Sequence, residues 1–292
     1  MTMDLRGIGA HRFAHQAMHT EFEIFCAHAD REYAQQAAWA AFDLLDRLEN
    51  ELSRFIENSD ISRINGLAPG ESARVSRWTM ECLRIARQAY AETAGAFDIS
   101  LGSGLESLHL APRDGTVRAA AHAVRLDLGG IGKGYAVDRM AEVLREWDIH
   151  RALIHGGGSS VRALDAPQGL EGWPLTLGPC GAVQAKCRVF SASGIRKGDH
   201  ILDPRSGRPV RGREAVWVSA EVDGATAEAF STAFMILPVK EIEAVCLRHP
   251  GMQAWLQEPL PDVLPFPSRD RQGAGPRVIH IAPNEVRNTP CI

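Results

Sequence analysis

Leu126-Asp127-Leu128-Gly129-Gly130-Ile131-Gly132-Lys133-Gly134-Tyr135-Ala136-Val137-Asp138 decides how this chain is read. Val124 to Leu128 alternates as a short strand, four glycines and a lysine follow, and a helix is predicted from about Tyr135 to Trp147. Glycines let the backbone approach a ligand closely and adopt positive φ. The free N–H groups at the start of the following helix favour an anion, and Lys133 adds a full positive charge. The design suits a phosphate. It is neither G-x-G-x-x-G nor G-x-x-x-x-G-K-[ST], so a plain glycine-rich turn stays open on local grounds.

On the N-terminal side, Phe22 to Ala27 alternates as a strand. Arg31 to Phe55 carries apolar residues at Ala38, Ala41, Phe42, Leu45, Leu48 and Leu52, the spacing of one helix face. Ser76 to Thr93 repeats that pattern and is followed by Gly95. On the C-terminal side, strands are predicted at Ala152 to His155, Cys187 to Ser191 and Ala215 to Val222. Helices are predicted at Ala225 to Leu237 and Glu241 to His249. Strands and helices mix without a regular βα alternation, which predicts an α+β fold. Residues 1–257 read as one domain. Residues 258–292 read as a Pro/Gly-rich C-terminal segment with a last strand at Arg277 to Ala282.

Composition narrows the function classes. The 292 residues are 45% hydrophobic and 23% charged, ordinary for a globular chain with a sizeable core. A formal net charge of −4 and the lack of a basic stripe argue against a nucleic-acid partner. No apolar run approaches the roughly 20 residues needed to cross a bilayer. The first residues show no apolar segment after a basic start, so a cytoplasmic location is expected. The six cysteines form no C-x-x-C pair, and buried free thiols are expected rather than a metal site or a disulfide framework.

Two more stretches carry chemistry. Ser191-Ala192-Ser193-Gly194 precedes His200-Ile201-Leu202-Asp203-Pro204-Arg205-Ser206-Gly207-Arg208-Pro209. His200 and Asp203 are close enough to serve one site, and a histidine beside a carboxylate is a natural general base. A surface histidine next to a turn fits the same residues. In Ala227-Glu228-Ala229-Phe230-Ser231-Thr232, Glu228 and Thr232 share a helix face at i and i+4. They are hard oxygen donors suited to Mg²⁺. A solvated Glu near a capping hydroxyl is the plain alternative.

Taken in order, these stretches resemble the ApbE family of FAD:protein FMN transferases. Met18-His19-Thr20-Glu21-Phe22 is similar to the family's M-G-T-x-F. Leu52-Ser53-Arg54-Phe55 with Ser59 to Asn65 resembles L-S-x-F…S-x-[IL]-x-x-[IL]-N. Gly95-Ala96-Phe97-Asp98-Ile99-Ser100 resembles G-x-F-D-P-T, and Leu126 to Asp138 resembles D-L-G-G-[IV]-A-K-G-Y-x-x-D. Ser193-Gly194 with His200 to Pro209 resembles T-S-G…H-I-[IL]-D-P-x-T-G-x-P, and Ala227 to Thr232 sits at A-D-x-x-[AS]-T. The resemblance runs from Met18 to about Leu237.

It implies an ApbE-like fold around a central FAD cleft, and transfer of FMN from FAD to a Ser or Thr hydroxyl of an acceptor protein, with release of AMP. Met18, Asp98 and Lys133 would hold FAD, with Gly129 and Gly130 near its pyrophosphate and Ser193 and Gly194 in the same cleft. Mg²⁺ would be held by the Gly132 carbonyl, Glu228 and Thr232. His200 would deprotonate the acceptor, with Asp203 beside it. Departures from the family pattern include Glu228 for Asp, Gly132 for Ala, His19 for Gly, and Ile195 for an acidic residue. Attack by water would instead make the site an FAD pyrophosphatase, and a disabled metal site would leave a non-catalytic FAD-binding protein.

Overall fold

A computed structural model describes residues 1–3, 8–120, 123–195, 201–259 and 276–283. Its spine is an eight-stranded sheet in which every neighbouring pair is antiparallel. From one edge to the other the strands are Val278–Ile281, Gln253–Gln257, Ala215–Ala220, Arg188–Gly194, Ser160–Ala163, Ala152–Gly156, Thr20–Cys26 and His11–Ala17. The last predicted strand is therefore an edge of the main sheet, paired to Gln253–Gln257.

Among the described residues six α-helices accompany the sheet: α1 (Arg31–Leu52), α2 (Asp60–Asn65), α3 (Arg77–Glu92), α4 (Gly132–Glu146), α5 (Gly224–Ala233) and α6 (Val239–Arg248). Helices α1, α4 and α5 cover one face. The apolar face read for α1 is buried at Ala38, Ala41, Phe42, Leu45, Leu48 and Leu52. Asp30 caps that helix by accepting from the Glu32 and Tyr33 N–H groups. The opposite face carries a second core around Phe25, Trp173, Phe190 and Trp217. A three-stranded sheet of Thr2–Met3, Trp173–Thr176 and Ala182–Ala185 supplies part of this core. Covered on both sides, Ala152–Gly156 is buried at all five positions.

Several expectations change. Val124 to Leu128 is not a strand. It is an extended segment held by the Asn65 side chain, which donates to the Leu126 carbonyl at 3.0 Å and accepts from its N–H at 2.6 Å. The Arg125 N–H donates to Ser103 Oγ at 3.0 Å and the Asp127 N–H to the Ile99 carbonyl at 2.8 Å, so loop groups replace a sheet neighbour. Helix α4 begins three residues earlier than predicted, and α5 ends at Ala233, ahead of Pro238, rather than at Leu237. Strands His11–Ala17, Ser160–Ala163 and Gln253–Gln257 were not anticipated. Cys26, Cys82, Cys180 and Cys246 are free thiols as expected, but Cys187 is disulfide-bonded. Among the described residues no helix is long and apolar enough to cross a membrane.

Candidate functional site

Helix α4 starts without a capping side chain of its own, at Ile131, and has no acidic residue in its first turn. An uncapped start leaves N–H groups in need of acceptors. One is met from another element: the Gly134 N–H donates to Glu228 Oε2 of α5 at 2.6 Å. The other Glu228 oxygen accepts from Lys133 Nζ at 2.5 Å, and the same ammonium donates to the Gly129 carbonyl at 3.2 Å. Glu228 is only 3% exposed, so its charge depends on these donors.

The two helices can meet there because both lack side chains at the crossing. A Cβ at Gly134 would stand 2.1 Å from the Gly224 carbonyl oxygen, and one at Gly224 would stand 2.6 Å from that of Gly134. Asp138, one turn further along α4, accepts from the Gly224 N–H at 2.5 Å and faces Arg162 at 3.4 Å. Burial pushes the Asp138 carboxyl up to about 7, against the pull of Arg162.

Gly129, Lys133 and Glu228 open onto a cleft of about 970 Å³. Of the residues predicted for flavin binding, Met18, Asp98, Gly129, Gly130, Lys133, Ser193 and Gly194 all line it, as do Glu228 and Thr232. Met18 and His19 form the two-residue turn between strands paired at Ala17 and Thr20, with φ of 50° and 58°. Such hairpin turns need positive φ at both positions, and histidine tolerates it better than most residues, so His19 fits where the family has glycine. The Asp98 carboxylate folds its own loop. It accepts from the Ser100 N–H at 2.8 Å, the Ser100 hydroxyl at 2.7 Å and the Gly102 N–H at 2.9 Å. Ser193 Oγ lies 2.9 Å from Ser231 Oγ and 3.2 Å from Thr232 Oγ1, tying the strand wall to α5.

Two predicted residues are placed differently. Gly132 is the first residue of α4 and lines a side pocket of about 160 Å³ rather than the main cleft. The carbonyl that meets a cation beside Glu228 is that of Gly129. Asp203 does not line the cleft, although Leu202 and Pro204 do. Its two oxygens are taken by the Arg205 guanidinium, both at 3.0 Å. Those bonds hold its carboxyl below the usual range, which makes it a poor base. His200 lies outside the described residues. Gly194 before it and Ile201 after it both line the cleft.

Sequence reasoning passed over several lining residues. Asp127 borders both cavities and pairs with Arg54 at 3.0 Å. Phe55 is 70% exposed, lies under the Arg54 guanidinium and borders the side pocket. Both stand inside quoted motifs, so the signal was present. Trp217 and Thr20 also line the cleft. Nothing in the local sequence marks Trp217, because only the sheet pairing brings it there.

Among the described residues no three His, Cys, Asp or Glu side chains gather in a metal-holding group. The oxygen donors around the Lys133 ammonium are the Glu228 carboxylate and the Gly129 carbonyl, with the Thr232 hydroxyl on the same cleft wall. That set already lodges one cation, the Lys133 ammonium. Hard oxygens of this kind fit Mg²⁺, which usually takes few protein ligands and completes its shell with water and phosphate.

Comparison with known proteins shows the family and the fold. The chain is 35% identical over 138 residues to an FAD:protein FMN transferase of Rhodobacter capsulatus, covering 41% of this chain and 26% of that protein. It is 28% identical over 219 residues to an FAD:protein FMN transferase of Klebsiella pneumoniae (strain 342), covering 61% and 69%. The fold is shared with the Flavin Transferase ApbE from Vibrio cholerae, with a TM-score of 0.77 at 20% identity, over 94% of this chain and 97% of that one. The family model described as "ApbE family" matches residues 18–256, and the chain belongs to that family.

Proposed function

We infer that the protein transfers the FMN half of FAD to a Ser or Thr hydroxyl of an acceptor protein and releases AMP. The observation that carries this reading is the meeting of Lys133 and Glu228 at the uncapped start of α4, inside one cleft that Thr232 also lines. The cleft volume lies in the range of roughly 300–1,000 Å³ typical of ligand sites. The activity of its relatives, FAD:protein FMN transferases, supplies the substrate class.

The residues divide the work. The positive end of α4 and the glycine loop before it receive the pyrophosphate. Lys133 binds a phosphate oxygen and stabilises negative charge as it moves toward the leaving AMP. Met18 and the Asp98 loop form walls that orient the remainder of FAD. His200 takes the proton of the acceptor hydroxyl, which is a weak nucleophile without a base. That oxygen bonds to the flavin-side phosphorus, the bond from this phosphorus to the bridging oxygen breaks, and AMP leaves with the bridging oxygen. Glu228, Thr232 and the Gly129 carbonyl would hold Mg²⁺, which would supply further charge neutralisation at the pyrophosphate.

Product analysis tests the reading. Incubation with FAD and Mg²⁺ is expected to release AMP in step with flavin that stays on the acceptor through denaturation. Free FMN and AMP formed equally fast without acceptor would make the protein a pyrophosphatase, and intact FAD would make it a binding protein.

A further inference from the structure

We propose that Lys133 is an internal cation that occupies the metal position in the nucleotide-free protein, so that a divalent ion and FAD bind as one cooperative unit. The proposal rests on the reading of Glu228 as a metal ligand. The geometry is that of a cation in an oxygen site: Lys133 Nζ stands 2.5 Å from Glu228 Oε1 and 3.2 Å from the Gly129 carbonyl. Glu228 has no other ionic partner among the described residues, and its second oxygen is taken by the Gly134 N–H. Its side chain is 4% exposed and that of Lys133 is 23% exposed. The lysine is thus the member of the pair with room to leave.

The charge balance gives the coupling its sign. With Lys133 in place the buried carboxylate is neutralised, and a divalent ion gains little by approaching. It would also have to sit beside a like charge within a few ångströms. A pyrophosphate entering at the start of α4 offers Lys133 a second set of oxygens within the swing of its four-carbon stem. Once the ammonium moves there, Glu228 is left buried and unpaired beside a doubly negative ligand, which is the setting a divalent ion needs. Glutamate at position 228 fits this arrangement, since one carboxylate spans both the Gly134 N–H and the Lys133 ammonium.

The test is Mn²⁺ binding, read from the electron paramagnetic resonance of the free ion, on full-length protein without acceptor. It is run with and without FAD, with FAD integrity checked by chromatography. The parent is expected to bind Mn²⁺ about tenfold or more tightly when FAD is present, within the ordinary range of coupling between two ligands. Lys133→Met is expected to bind Mn²⁺ alone more tightly than the parent does, by a similar factor. Lys133→Arg keeps the positive charge and is expected to bind Mn²⁺ alone no more tightly than the parent. Thermal melts establish that each variant is folded. The proposal is overturned if Lys133→Met binds Mn²⁺ alone no better than the parent, or if the parent binds Mn²⁺ equally well with and without FAD. Glu228→Gln separates the two ideas: Mn²⁺ binding in the presence of FAD that survives this change removes the metal-site reading itself, whatever Lys133 does.

Discussion

Gly134 of α4 and Gly224 of α5 touch backbone to backbone, and this contact sets where the two helix starts stand. Every charged group of the cation site hangs from one of these two helices or from the loop before them. A methyl at position 134 has no room, so the helices must separate. Gly134→Ala is expected to destabilise the fold by about 1–3 kcal/mol, the usual cost of overpacking. It is also expected to weaken FAD binding, as Lys133 and Glu228 move apart. Denaturant unfolding with flavin-fluorescence titration checks both, and a variant with parental values would show that the contact is not rigid.

The carboxylate at position 228 serves two donors on α4 at once. Glu228→Asp shortens its reach by about one bond, and displacements of that size cost on the order of 10²-fold in rate. AMP release from FAD with Mg²⁺ is expected to fall accordingly, although aspartate is what the family pattern carries. Parental or faster release by Glu228→Asp would mean that the site has only drifted from that pattern.

His200→Ala is expected to retain FAD binding and to lose about 10²–10⁴-fold in transfer, the usual contribution of a general base. Asp203→Asn breaks the paired bonds to Arg205 in the adjoining turn, and its transfer rate is expected to fall far less. A reversed order of the two variants would give Asp203 the base's part.

Burial raises the Asp138 carboxyl to about 7, so the folded protein takes up this proton well before the unfolded chain does. Between about pH 4 and 7 the folded state then binds more protons, and this group's contribution to stability falls as pH rises. Asp138→Asn removes the titration. The stability difference, parent minus variant, is expected to decline as pH rises through that window. A difference that stays flat would show that Arg162 keeps Asp138 ionised throughout.

Much of the site was legible because its residues come in short motifs with strong local meaning. Lys133 among glycines and Glu228 four residues before Thr232 are local patterns, and both patterns reached the cleft. What escaped depends on distant pairing. Asn65 replaces a strand neighbour for Leu126 from 61 residues away, so alternation at Val124 to Leu128 read as a strand. The Lys133–Glu228 pair spans 95 residues and has no local trace. Gly132 was assigned as a metal ligand by its place in a motif, whereas the carbonyl beside the cation is fixed by the turn that brings Gly129 there. Asp203 reads as a partner of His200 by spacing alone, and its capture by Arg205 two residues later shows only in three dimensions.

The central claim is covalent transfer, and the mass of an acceptor tests it most directly. Extract of the source organism, incubated with the protein, FAD and Mg²⁺, is resolved under denaturing conditions, and flavin-fluorescent bands are analysed by mass spectrometry. The account predicts a Ser or Thr peptide heavier by FMN less one water, with one AMP released per modified peptide and none modified when the protein is omitted. FAD consumed with no modified peptide in any band, or left intact throughout, would contradict it.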